Sequence, residues 1–204
     1  MRTQRQDTAR TRLSLLHAAS EIFAEKGFRE TTIAEISRRA GTNVAAVNYH
    51  FGDKEALYRE AWRYSFGESI KIYPPEGGVA GSAPPEERLT GRVRALLNRV
   101  SADKNREFTI AIKEIANPTG LLEEVMQEEM RPLRREIMAL VREVLGPGHS
   151  EEEVRFCTIS IVGQCVIPTL INMARLEDEE KEPDSLKVDD TGAYAEHVVA
   201  FSLA

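Results

Sequence analysis

From Thr11 to Gly27 the apolar positions Leu13, Leu16, Ala19 and Phe23 recur at spacings of three and four, which predicts a helix with one buried stripe. Gly27 stands just past its last turn, where a left-handed residue ends a helix, and Phe28 is placed to pack back on it. Thr32 and Glu35 have the spacing of a capping box, so a second helix starts there, with Ile33, Ile36 and Ala40 on one face. Gly41 breaks that helix, and Thr42 or Asn43 caps a third of about two turns, too short to be stable alone. Gly52-Asp53 is the next break and cap, and "KEALYREAWRYSF" opens a fourth helix. Two short helices joined by a tight glycine turn have helix-turn-helix geometry.

The same period continues through the rest of the chain, which reads as all-α. Residues 73–87 hold four prolines and three glycines and are read as a mobile connection. Helical patterns resume over 86–102 and 104–116, and Asn117-Pro118 marks a boundary. "GLLEEVMQEEMRPLRREIMALVREVLG" is one long helix or two abutting ones, with Pro132 as the joint. The segment 151–176 is apolar on all sides from Phe156 to Met173, the mark of a buried helix. "EDEEKEPD" is an acidic, solvated loop, and a short amphipathic helix closes the chain.

The third helix has an odd surface. On a helical wheel of ~100° per residue, Val44, Val47 and Phe51 face the core. Ala45, Ala46, Tyr49 and His50 fall on the outside, and Asn48 lies near the edge. Two alanines, a tyrosine and a histidine are poor solubilising residues but suit a helix laid in a DNA major groove. Alanine lets the backbone approach and meets thymine methyls, and Tyr and His carry polar tips for bases or phosphates. The amides behind Asp53, reinforced by Lys54, can face a phosphate. Arg2, Arg5, Arg10 and Arg12 can follow the DNA backbone or a minor groove. A helix pair used for packing or a protein–protein contact has the same spacing.

Charge supports a polyanion at one end. Residues 1–66 hold 11 Lys and Arg against 8 Asp and Glu, while the whole chain of 204 residues has a net charge of −6. No apolar run approaches the ~20 residues that cross a bilayer, and no signal peptide is legible, so a cytoplasmic protein without a membrane partner is expected. Cys157 and Cys165 are eight apart in one apolar segment, too far to bridge, and read as buried thiols. The four histidines are scattered and point to no metal site or cofactor. Ser160 and Cys157 have no adjacent base, so no catalytic residue is expected and an enzyme is not.

"TTIAEISRRAGTNVAAVNYHFGDKEALYREAW" resembles the DNA-binding domain of the TetR/AcrR family of one-component bacterial repressors. The likeness rests on Gly-Phe after the first helix, Thr-Thr opening the second, Ala-Gly at the turn, "YHF" ending the third and Lys-Glu-Ala-Leu in the fourth. It covers about residues 10–70. It implies an N-terminal three-helix helix-turn-helix domain over 10–70. A C-terminal helical bundle for effector binding and dimerisation then takes 71–204. By position it places DNA contacts at Thr32, Val44, Ala45, Ala46, Asn48, Tyr49, His50 and Lys54. Asn48 stands where the family often has an aromatic. "ISIVGQC" and "AEHVVAFSLA" are similar to one TetR subgroup with its own C-terminal domain.

The resemblance further implies a homodimer formed through two late helices, here 151–174 and 190–203. It implies a palindromic double-stranded operator and a small-molecule effector that releases it. Repression is the family's usual sign; an activator, a dual regulator or a helical protein-interaction module remains an alternative. Effector candidates are apolar residues of the middle helices: Phe108, Ile112, Ile115, Leu122, Met126, Met130, Phe156 and Ile159. Gln164 joins them as an amide in an apolar helix that needs hydrogen-bond partners.

Overall fold

The computed structural model describes residues 2–102, 105–174 and 188–203, with side chains from residue 6 onward. Among these residues all regular structure is helical: α1 (Arg2–Glu30), α2 (Ile33–Arg39), α3 (Val44–Phe51), α4 (Lys54–Ile72), α5 (Pro85–Val100), α6 (Arg106–Ala116), α7 (Glu123–Leu145), α8 (Glu151–Ala174) and α9 (Thr191–Leu203). The acidic "EDEEKEPD" segment lies outside the described residues. The chain divides into two compact units, Met1–Ser69 with Lys104–Met130, and Ile70–Asp103 with Arg131–Ala204.

In the first unit the stripe of α1 is wider than one line of residues. Leu15, Leu16, Ala18, Ala19, Ile22 and Phe23 are buried, while Leu13 is 53% exposed. Leu13 has the right spacing but sits one turn above the buried part of the stripe. Gly27, at φ 76, separates the long part of α1 from its final turn. Ile36 of α2 and Val47 of α3 are fully buried, as are Leu57, Tyr58, Ala61 and Trp62 of α4. A buried side chain the size of Val47, Ile36 or Leu57 contributes about 1.5–3 kcal/mol by leaving water, which is how a two-turn helix such as α3 becomes stable.

Residues 104–130 fold with this head. On α6, Arg106 pairs with Glu21 of α1 at 2.7 Å. The indole N–H of Trp62 donates to the carbonyl of Glu107 at 3.1 Å. The first turns of α7 are tied to α4 by Arg63, whose guanidinium meets Glu129 at 2.8 Å and Glu128 at 3.3 Å. Helix α7 runs unbroken through Pro132. Its turns after Met130 belong to the second unit.

In the second unit α5, the later turns of α7, α8 and α9 share one core built on Leu89, Val93, Leu97, Leu140, Val154 and Val198. Arg92 pairs with Glu136 at 2.8 Å, Arg88 with Glu143, and Arg94 with Glu196 at 3.3 Å. The proline- and glycine-rich segment is not a plain linker. It folds into successive turns, with Gly77 N–H donating to Pro74 O and Val79 N–H to Glu76 O. Gly77, at φ +60, brings its backbone so close to α5 that a Cβ there would lie 2.1 Å from the Gly91 carbonyl oxygen.

Helix α8 departs from two expectations. It is long and apolar enough, by length and composition, to cross a membrane, because after its three opening glutamates it carries one charge, Arg155, in the remaining turns. It is also not buried all round. Val154, Ile161 and Cys165 face the core, while Phe156, Ile159 and Ile167 are more than half exposed.

Candidate nucleic-acid interface

Caps read locally from the sequence set the two short helices. At α2 the Thr32 hydroxyl accepts from Glu35 N–H at 3.2 Å and the Glu35 carboxylate accepts from Thr32 N–H at 3.2 Å, a complete capping box. The Lys26 ammonium donates to the same carboxylate at 2.6 Å. That contact first, and Thr32 second, hold the Glu35 carboxyl down at about 2.

The turn between α2 and α3 is a Schellman motif. Gly41 N–H donates to Arg38 O and Thr42 N–H to Ser37 O, at 3.2 and 2.9 Å. Gly41 holds the left-handed position this motif needs, at φ 66. Asn43, not Thr42, is then the cap of α3, accepting from Ala46 N–H at 3.0 Å. Asp53 caps α4, accepting from Ala56 N–H at 2.7 Å.

The surface of α3 follows. Val47 is fully buried and Tyr49 is 78% exposed, with its ring edge-on to His50 at 5.0 Å. Ala45 and Asn48 are exposed, and Ala46 and His50 half-buried. Val44 departs from the wheel: it is 44% exposed. It is the first residue of the helix and lies at the open end of the buried stripe. Asn48 likewise stands out in solvent and not at the core edge. Thr32 is exposed at the start of α2. The structure therefore puts Val44, Ala45, Asn48 and Tyr49 together on the exposed side of one helix.

Two cations flank α3 on aromatic rings. The Arg12 guanidinium lies over Phe51 at 5.1 Å and donates to Glu60 at 2.8 Å. The Lys54 ammonium lies over Phe28 at 4.2 Å, and partial burial there lowers its pKa. Sequence reasoning saw Lys54 but missed the ring beneath it, because Phe28 is 26 positions earlier and carries no local signal. Arg10 is exposed beside Asp7; the side chains of Arg2 and Arg5 lie outside the described ones.

The effector candidates fall in different places. Phe108, Ile112 and Met126 are half-buried in the first unit, and Leu122 is fully buried there. Ile115 and Met130 are exposed at 69% and 39%. Phe156 and Gln164 belong to the second unit. Gln164 is not the buried amide expected of an apolar helix: it is half-buried, and its NH2 donates to Ser160 O of its own helix at 3.3 Å. Cys165 is buried, and burial pushes its thiol up to about 12; Cys157 is half-buried.

Residues 15–61 match the family "Bacterial regulatory proteins, tetR family", and residues 85–204 match "HTH-type transcriptional dual regulator CecR, C-terminal domain". The chain is 27% identical over 160 residues to the dual regulator CecR of Shigella flexneri, covering 74% of this chain and 71% of that protein. It shares its fold with FadR of Bacillus subtilis in complex with stearoyl-CoA, at TM-score 0.70 and 16% identity over 94% of this chain and 97% of that one. The regulator AibR, in complex with isovaleryl coenzyme A and operator DNA, superposes at the same TM-score of 0.70, with 16% identity and the same coverage of 94% and 97%.

Proposed function

Because this chain belongs to the TetR family of transcriptional regulators, with a C-terminal domain of the CecR type, we propose that it works as a homodimeric repressor. It reads a palindromic operator with α3 and leaves it when a small molecule binds. The chain is a DNA-binding regulator and not an enzyme; the repressor, dimer, operator symmetry and effector release are the proposal.

The observation that carries it is the surface of α3. An eight-residue helix fixed by Asn43 and by buried Val47 turns Ala45, Asn48 and Tyr49 to solvent. That face fits a major groove, where small side chains allow close approach and Tyr or Asn tips reach base edges and phosphates. Thr32, Val44, Ala46, His50 and Lys54 complete the contact set. The reading places the protein with the chromosome, in the cytoplasm.

Dimerisation is supported by the second unit. Phe156, Ile159 and Ile167 are spaced along one stripe of α8, and Phe201 adds to the exposed apolar surface on α9. Exposed large apolar side chains of that kind mark an association surface, and a second copy related by a two-fold axis covers them with the same residues. Two heads then meet successive major grooves. An effector weakens DNA binding by the ratio of its affinities for the two head separations. Isovaleryl-CoA and stearoyl-CoA, bound by AibR and FadR, are the first probes for an effector. The dual regulator CecR among the relatives keeps activation at some promoters as the second reading.

The test is sedimentation velocity with fluorescence anisotropy on mixed-sequence duplex. The reading expects a dimer that dissociates when Phe156 and Ile159 are replaced by Glu. It also expects DNA affinity that falls steeply with salt. A monomer, or salt-independent binding, contradicts it.

A further inference from the structure

Lys54 is the first residue of α4, where the backbone amides carry a partial positive charge and a cation is disfavoured. Among the described residues it forms no ion pair. What the ammonium has instead is the face of Phe28, 4.2 Å from the ring centroid. Partial desolvation works against its charge there and lowers its pKa. The ring is itself held. Phe28 stacks with Phe23 at 6.3 Å and tilts against Tyr58 at 5.0 Å, and both of those residues are buried.

We propose that Phe28 is a positioning residue for DNA binding: its ring holds the Lys54 ammonium at the N-terminus of α4, so that a DNA phosphate meets an ordered cation. This rests on the reading of Lys54 as a phosphate contact. An ammonium has three N–H donors, and a ring below occupies one side of it, leaving the others for phosphate oxygens. A free lysine stem loses rotamer entropy when its head group is captured. Over Phe28 much of that freedom is already gone before DNA arrives. The arriving phosphate also relieves the unbalanced charge of ammonium and helix terminus together. The ring therefore adds to DNA affinity and does not compete with it.

The experiment uses the full chain and a mixed-sequence duplex, with anisotropy titrations over a range of salt. Lys54→Met is expected to weaken binding and make the salt slope shallower by about one. Phe28→Leu, which keeps apolar volume but removes the π-face, is expected to weaken binding about two- to fivefold. Phe28→Tyr keeps the face and is expected to bind as the natural chain does. In the Lys54→Met background, Phe28→Leu is expected to have no further effect.

Free protein gives a second readout independent of any folding defect. The Lys54 ε-methylene protons are expected upfield in NMR spectra, shifted by the ring current. Ordinary shifts for those protons overturn the proposal. So does equal loss from Phe28→Leu with and without Lys54, or tighter binding by Phe28→Leu. If Lys54→Met alone changes nothing, the phosphate reading of Lys54 falls and takes the proposal with it.

Discussion

The hydroxyl of Tyr58 on α4 donates to a carboxylate oxygen of Glu114 on α6 at 3.1 Å, and both residues are buried. The same carboxylate accepts from the amides of Thr119 and Gly120 at 2.8 and 3.0 Å. One anion thus ties α4 to the turn that leads into α7. With Trp62 on the Glu107 carbonyl, α6 is fastened to α4 near both of its ends. Burial first, and the facing carboxylate second, push the Tyr58 pKa up, so the phenol keeps the proton it donates.

Removing the two partners is expected to cost unequally. Tyr58→Phe deletes one hydrogen bond but leaves Glu114 its other donors, a loss of about 1–2 kcal/mol. Glu114→Ala strands a buried phenol and two turn amides, and is expected to cost about 3 kcal/mol or more. Urea unfolding of the two variants, with hydrogen exchange at α4 and α6, checks the order. Equal losses contradict the assignment of Glu114 as the common acceptor.

The Glu35 carboxyl makes a pH prediction. Its folded pKa of about 2 lies below the ordinary 4.5, so its stabilising effect is complete above about pH 5 and is lost as pH falls toward 2. The melting temperature of the natural chain is expected to fall more between those pH values than that of Glu35→Gln. Glutamine can keep the capping box but does not titrate. Parallel curves would show that Lys26 and Thr32 do not favour the ionised form.

Substitutions on the two sides of α3 are expected to separate folding from binding. Val47→Asp puts an unpaired carboxylate where the side chain is fully buried and is expected to unfold the head, at a cost above about 3 kcal/mol. Tyr49→Ala, on the exposed side, is expected to leave stability within about 0.5 kcal/mol while weakening DNA binding by about 1–3 kcal/mol. Circular dichroism with anisotropy distinguishes them. A Tyr49→Ala protein that binds normally removes Tyr49 from the contact set.

What the sequence made legible was local. Thr32 with Glu35, the turn at Gly41 and the caps before α3 and α4 are pairs of residues within five positions, and their hydrogen bonds follow from spacing. The ends of buried stripes were not legible: Leu13 and Val44 keep the period of the core but lie where no neighbour covers them. Nor was the grouping of 104–130 with the head, since it depends on partners such as Tyr58 and Glu114, 56 positions apart. Gln164 shows a third limit. An apolar run on α8 implied burial, but Phe156, Ile159 and Ile167 are left exposed, and the amide bonds to its own backbone.

The backbone contact between the turn segment and α5 predicts a sharp intolerance. Gly77→Ala would require a side chain at φ +60 and a Cβ 2.1 Å from the Gly91 oxygen. Strain and overpacking together are expected to cost about 2–4 kcal/mol. Gly67→Ala, in α4 with open space around it, is the control and is expected to stabilise by up to about 1 kcal/mol. Thermal unfolding measures both. A tolerated alanine at 77 would mean that the segment is not seated on α5.

Selection from random-sequence duplex DNA followed by sequencing tests most directly whether α3 reads base sequence. The natural chain and Tyr49→Ala are run side by side. Enrichment of one palindrome by the natural chain, lost or relaxed in Tyr49→Ala, is the expected result. A folded natural chain that enriches no sequence, or a Tyr49→Ala protein that enriches the same palindrome equally well, would contradict it.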